Sequence, residues 1–156
     1  MRLTSFTDYG LRVLIYLAAN PGRRATIAEI ASAFAVSEHH LTKVVHFLAR
    51  GGWLRTVRGQ GGGLGLARAP AEIVVGAVVR ETEGAALPAE CFEAGGGHCC
   101  IAPICRLRNV LGASVDAFYA VLDACTLADL VRNGPALVKV LRSRGTARVE
   151  PRRPSS

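Results

Sequence analysis

Ser37-Glu38-His39-His40-Leu41-Thr42-Lys43-Val44-Val45-His46-Phe47-Leu48 divides its side chains between two faces when wound at helical period. Leu41, Val44, Val45 and Leu48 form an apolar stripe suited to a core. His39, Thr42, Lys43 and His46 follow one another at i, i+3, i+4 and i+7 on the opposite face, uninterrupted by an apolar side chain. Ser37 is a favourable N-cap, Glu38 sits where the helix dipole favours an anion, and Gly51-Gly52 ends the helix. Just upstream, Thr26-Ile27-Ala28-Glu29 reads as a capping box opening a short helix with Ile27, Ile30, Ala31 and Phe34 inward. Two short helices joined by a tight turn outline a helix-turn-helix, whose second helix offers its polar face, with Ser37 and His40 beside it, to a DNA major groove. The competing reading of that face is ordinary solvation.

The next segment weighs against the plain surface. Trp53-Leu54-Arg55-Thr56-Val57 and Leu64-Gly65-Leu66-Ala67 are strand-like, and Arg58-Gly59-Gln60-Gly61-Gly62-Gly63 joins them as a hairpin tip. A hairpin directly after a recognition helix is a wing. Arg55, Arg58 and Arg68 suit backbone phosphates, and Arg58 or Gln60 at the tip suits a minor groove. The glycine run lacks the Lys-Ser/Thr of a P-loop and opens no dinucleotide-binding helix, which argues against a nucleotide site.

Outside this core the pattern is helical. Leu11, Leu14, Ile15, Leu17 and Ala18 predict a first helix beginning near Thr7, with Thr7 as cap and Asn20-Pro21-Gly22 as stop. A fourth helical stretch runs from Pro70 to about Glu83, closed by Gly84. Arg106 to about Asp123 carries Leu107, Val110, Leu111, Val115, Phe118, Val121 and Leu122 on a stripe too broad for a small domain. That stripe either packs within the monomer or pairs with its copy in a two-fold homodimer. Thr126–Val131 predicts one more short helix, residues beyond Gly134-Pro135 are weakly helical to Leu141, and Arg142–Ser156 is expected to be disordered. The fold class is therefore mainly α with a small β-hairpin. It divides into a winged helix-turn-helix domain at 1–84, a loop at 85–105, a dimerisation helix and short helix at 106–133, and a basic, disordered tail at 134–156.

Composition agrees. Half of the 156 residues are apolar, which excludes wholesale disorder. The longest apolar runs, such as Val13–Ala19, are too short for a bilayer, and Asp8 interrupts any secretory signal. A cytoplasmic protein with no membrane partner is expected. The net charge of +7 is uneven: residues 1–70 and the last 26 each carry +6, and residues 71–130 carry −5. A basic N-terminal half suits a polyanion.

Four of five cysteines, Cys91, Cys99, Cys100 and Cys105, fall within fifteen residues, with Cys125 apart. An odd count in such a chain points to metal or redox chemistry rather than disulfides. Cys91, Cys99 and Cys105 on a polar, glycine-rich loop suit a soft metal or an iron–sulfur cluster, while the paired knuckles of structural zinc are missing. Three thiolates leave one iron short. Cys100, His98, Cys125, an acid elsewhere or a residue of a partner chain is left to complete the set. His39, His40 and His46 lie on the recognition helix, away from any cleft, and no Ser/His/Asp ordering supports an enzyme.

The opening Met1–Arg12, the stretch Ser37–Val45, the wing Arg58–Gly63 and the run from Glu90-Cys91-Phe92 to Ile101-Ala102-Pro103-Ile104-Cys105 together resemble the NsrR family of nitric-oxide-sensing repressors, relatives of the IscR regulators. The likeness spans residues 1 to about 133. It implies a homodimeric winged-helix repressor that binds an inverted-repeat site on double-stranded DNA. It also implies one iron–sulfur cluster per subunit, a four-iron cluster with a two-iron cluster as the alternative, on Cys91, Cys99 and Cys105. In that family the fourth ligand is an aspartate matching Asp8, contributed by the other subunit. A carboxylate is a weak match for cluster iron, so nitric oxide would act at that corner, release the operator and derepress nitric oxide detoxification genes. IscR-type relatives carry a histidine where Arg108 stands, which favours the NsrR branch; Cys100 replaces a common proline. Two alternatives stand beside this: a sensor of iron–sulfur status or general redox state on the same fold, and an iron–sulfur or zinc protein that binds no DNA.

Overall fold

A computed structural model describes residues 3–59, 61–84, 89–92 and 98–146. Gln60 lies outside them, as do residues 147–156 of the expected tail. Helix α1 (Ser5–Ala19) starts ahead of the predicted cap. Thr4 is the cap, its hydroxyl accepting from the Thr7 amide at 3.3 Å. Thr7 is instead fully buried and donates from Oγ1 to Thr82 Oγ1 at 2.9 Å, so it joins two helices rather than opening one.

Helices α2 (Ile27–Phe34) and α3 (Glu38–Arg50) form the expected pair. Thr26 caps α2 by accepting from the Glu29 amide, but the reciprocal half of the box is not made. The Glu29 carboxylate accepts from the Tyr16 hydroxyl at 2.9 Å and pairs with Arg23 at 2.5 Å, long-range partners that outcompete the local amide. Ala35 between the two helices is left-handed at φ 55°, the only described non-glycine with positive φ. That conformation costs roughly 1–2 kcal/mol; in return the Val36 amide reaches the Ala31 carbonyl at 3.0 Å and seals the end of α2. Ser37 occupies the N-cap position of α3 without a side-chain cap bond.

Helix α1 lies across α2 and α3 and also touches α4 (Val75–Glu83), α6 (Leu127–Leu130) and α7 (Gly134–Thr146). Val13, Leu14, Ile30, Leu41, Val44, Val45 and Leu48 are sealed from water at their common centre. Strands β1 (Leu54–Val57) and β2 (Gly63–Leu66) pair antiparallel, Leu54 facing Leu66 and Val57 facing Gly63. The hairpin is stitched to the domain through Ala25, which exchanges both backbone hydrogen bonds with Leu64 at 3.1 and 2.8 Å. Gly63 has φ 142° beside the Ala25 carbonyl, a conformation and a fit that favour glycine there.

The helix expected from Pro70 to Glu83 is broken. A single 3-10 turn at Pro70–Glu72 precedes α4 (Val75–Glu83), because the backbone between them is drawn into pairing with a distant segment. The Val75 amide donates to the Cys125 carbonyl at 2.9 Å and the Leu127 amide to the Ile73 carbonyl at 2.8 Å. Helix α5 (Arg106–Asp123) matches its predicted bounds, and α6 (Leu127–Leu130) is the expected short helix, opening on a reciprocal Thr126/Asp129 box not anticipated from sequence.

The largest correction is at the C-terminus. Gly134–Thr146 is a helix, α7, that packs on α1 and α2; the weak helical pattern to Leu141 becomes a packed helix, and it runs on through Arg142–Thr146, where the sequence pattern predicts disorder. Leu141 is 6% exposed and Leu137 half-buried against the same core. Weak local amphipathicity hides it, since its burial comes from a surface that only the folded domain provides. We expect Leu141→Ala to destabilise the protein by about 2 kcal/mol or more in urea unfolding, the range of a large-to-small core change; an unchanged midpoint would return α7 to the solvent.

Candidate functional site

The polar face of α3 stands in solvent. His39, His40, Lys43 and His46 are exposed, Ser37 is exposed at the helix start, and Thr42 is half-buried with its hydroxyl donating to the Glu38 carbonyl at 2.8 Å. The His40 ring stacks on Tyr9 of α1, centroids 6.4 Å apart and planes 20° from parallel. Phe6 meets Phe47 edge-to-face at 5.2 Å on the same seam. Arg55 and Arg58 of the wing are exposed, and Gln60 falls outside the described residues.

Asp8 projects from the first turn of α1 with its carboxylate 2.7 Å from the Arg12 guanidinium, and both side chains remain substantially exposed. Arg12 also lies over the rings of Tyr9 and Phe34. The carboxylate is thus aimed by a neighbour one helical turn away and is still open to an outside partner.

The cysteine segment is held at its ends. Cys91 lies in a 3-10 turn at Glu90–Phe92, and Cys105 is the N-cap residue of α5 after a second turn at Ala102–Ile104. Arg108 Nε donates to the Cys91 carbonyl at 3.1 Å, its guanidinium over the Phe92 ring at 5.5 Å, and the His98 amide donates to Glu90 Oε1 at 3.1 Å. Cys91 and Cys105 are half-buried, Cys99 and Cys100 exposed, and all five cysteines are free thiols. Cys125 belongs elsewhere, at the α5–α6 joint, with its thiol towards the Thr126 carbonyl. Among the described residues, no three His, Cys, Asp or Glu side chains converge on a point that holds a metal ion. The physical reason is general: free thiols have no mutual attraction, and convergence is commonly driven by the bound group. The donor set itself, three accessible thiols on a tethered loop, fits a soft metal or cluster by chemistry.

Two polar links are invisible in the sequence because their partners are far apart along the chain. Arg80 of α4 and Asp123 of α5 form a two-pronged pair at 2.6 Å, with Arg80 also over Tyr119 at 4.2 Å. The hydrogen bonds from Arg80 hold Asp123 below the usual carboxylate range, with desolvation opposing them. At the other end of α4, Glu83 accepts from the Thr4 amide and hydroxyl at 2.8 and 2.9 Å. Burial pushes the Glu83 carboxyl up, but the hydrogen bonds it accepts at this helix end, those from the Thr4 amide and hydroxyl among them, win and leave it lowered. Helix α4 therefore ties α5 to the start of α1.

A model of the Rrf2 family, described as iron-dependent transcriptional regulators, matches residues 3–133. The chain belongs to the Rrf2 family. Among curated relatives, this Rrf2 chain is 49% identical to the HTH-type transcriptional regulator NsrR of Geobacillus kaustophilus over 145 residues, 92% of this chain and 99% of that one. It is 46% identical to the NsrR of Bacillus subtilis over 143 residues, 91% and 98% of the two chains. Among solved structures, an IscR of T. potens superposes with a TM-score of 0.69 at 27% identity, covering 85% of this chain and 88% of that one. The oxidized form of Staphylococcus aureus CymR does so at 0.67 and 28%, covering 85% and 97%. The winged-helix fold and the role of transcriptional regulator follow. Among the described residues no helix is long and apolar enough to cross a membrane.

A carboxylate whose folded pKa is depressed stabilises above its unfolded pKa, and the gain is lost as pH falls through the folded value. The Thr4 amide should therefore be protected from hydrogen exchange at neutral pH and lose that protection in acid as Glu83 protonates. Glu83→Ala should abolish it already at neutral pH; exchange of the Thr4 amide unaffected by either change would remove the α1–α4 link.

Proposed function

We propose that this Rrf2 chain is a homodimeric DNA-binding repressor that senses nitric oxide through an iron–sulfur cluster, four-iron rather than two-iron, one per subunit. Ser37, His39, His40, Thr42, Lys43 and His46 read the major groove, and Arg55, Arg58 and Gln60 hold the wing on the duplex. Cys91, Cys99 and Cys105 hold the cluster with the partner subunit's Asp8 as fourth donor. The observation that carries this reading is the position of the three free thiols, on the segment between the reading domain and α5.

That helix supports the dimer. It contains no buried residue, and Leu107, Val110 and Val121 are 62, 60 and 71% exposed. Burying such side chains is worth about 1.5–3 kcal/mol each, a strong drive to pair with a copy. Two reading heads then face an inverted repeat at a spacing set by the interface.

When bound, the cluster supplies an iron centre reactive towards nitric oxide and a crosslink between subunits. The chain's residues turn that crosslink into DNA affinity. Asp8 and Tyr9 are adjacent on α1, and Tyr9 stacks on His40 of α3, so a pull on Asp8 reaches the reading helix within one turn. Release of Asp8 lets it return to Arg12 alone, and α1 with α3 is free to shift relative to the other subunit. A change of a few ångströms between heads mismatches an inverted repeat.

Protein purified without oxygen should be coloured and contain iron and sulfide, whereas Cys99→Ser or Cys105→Ser should be colourless. Cluster-loaded protein should lose at least tenfold in operator affinity, about 1.4 kcal/mol, on exposure to nitric oxide. Equal affinity before and after, with loss on oxygen or peroxide alone, would favour the general redox sensor. Absence of salt-dependent duplex binding would reject the DNA-binding role.

A further inference from the structure

Beside the wing, towards the turn between α1 and α2, lies an open groove of about 780 Å³. Arg23 and Arg24 of the turn, Arg55 of β1 and Arg68 after β2 line it, together with Gly61 and Gly62 of the hairpin tip. None of its described lining residues is an aspartate or glutamate. Among the described residues, only Arg23 of these four has a carboxylate partner, Glu29. Even that carboxylate is shared with the Tyr16 hydroxyl.

Two more of the guanidinium groups are also held in place. Arg24 Nη1 donates to the Gly61 carbonyl at 3.0 Å, and Arg68 lies over the Trp53 ring at 4.6 Å. Trp53 is itself fixed by its indole N–H donating to Glu81 at 2.6 Å. A guanidinium fixed by stacking or a backbone carbonyl loses little freedom on meeting a phosphate and keeps donors free for it.

We infer that this groove is a second phosphate-binding surface, taking the phosphodiester backbone of DNA beyond the bases read by α3. The inference rests on the DNA-binding reading above and extends it to residues outside the wing. Size selects a strand rather than a small anion: at about 780 Å³ the groove is far larger than a phosphate ion. Its cations are spread over both walls rather than focused on one point. Continuity selects DNA, because Arg55, Gly61 and Gly62 belong to wing and groove together. A wing seated on the duplex brings the groove to the adjoining backbone. Arg24 serves twice, binding the hairpin tip and lining the groove, so the α1–α2 turn and the wing are linked across it. Arginine–phosphate contacts of this kind carry affinity and salt dependence without sequence information.

The test uses the full chain and an operator selected from a random-sequence duplex library. One duplex is trimmed to the inverted repeat and another is extended by a helical turn at each end. Wild-type protein should bind the extended duplex more tightly and with the steeper salt dependence. Arg23→Gln with Arg68→Gln should lose most of that difference. Its log-affinity against log-salt slope on the extended duplex should be shallower by about 1–2, at roughly 0.9 for each phosphate no longer neutralised. Arg23→Gln alone, which disturbs only its contacts with Glu29 and Tyr16, should show part of the same effect if the double variant folds poorly. Equal deficits on the two duplexes, or wild-type behaviour on both, would overturn the inference while leaving operator binding intact. Inorganic phosphate binding that the variant abolishes, without any duplex-length effect, would overturn it in favour of a free anion. Failure of the wild-type protein to bind any duplex would instead bring down the DNA-binding reading itself.

Discussion

Burial of α1 is the constraint on which the other elements depend. Val13 and Leu14 are wholly shielded from water, and the faces around them pack on α2, α3, α4, α6 and α7 and on the second strand of the wing. A helix enclosed on so many sides cannot rotate or slide without opening several interfaces at once, because close-packed interiors resist small continuous shifts. Its first turn nevertheless leaves Asp8 open to solvent beside Arg12. One rigid rod therefore presents a carboxylate at one place and supports α3 through Tyr9 and Phe6 at the next.

Helix α5 stands in the opposite condition. It touches the domain mainly through α4, where the Arg80–Asp123 pair and the close approach of Asp123 to Gly76 set its angle. Its apolar stripe is otherwise left in water, at a free-energy cost that a second copy would remove. Polar contacts thus orient α5 while its apolar surface stays in water, the surface that the proposed second copy would cover. The cysteine segment joins these two regimes, with Cys91 tethered by Arg108 and Cys105 standing at the start of α5.

Much of this is legible in local pattern. The stripe Leu41, Val44, Val45 and Leu48, the glycine pair ending α3, the hairpin within one residue of its strands, and the bounds of α5 all follow from short-range periodicity and turn chemistry. The departures share a single cause. Glu29 suits a capping box by spacing but is taken by Tyr16 and Arg23; Thr7 suits a cap but is taken by Thr82. Residues 73–74 continue a helical pattern but are drawn into pairing with 125–127, and α7 has the local character of a tail but is held by a core 100 residues away in sequence.

The amino-acid order alone therefore determined which residues are the candidates for chemistry: a polar helix face, a basic hairpin, and three sulfur donors in one loop. Each of these is set by neighbours within about two turns, where steric and capping preferences act directly on the chain. Only the tertiary structure decided how they are connected. The stacking of Tyr9 on His40, the ties from α4 to α1 and α5, and the arginine groove between wing and turn all pair residues brought together by burial, and no local preference encodes such a meeting.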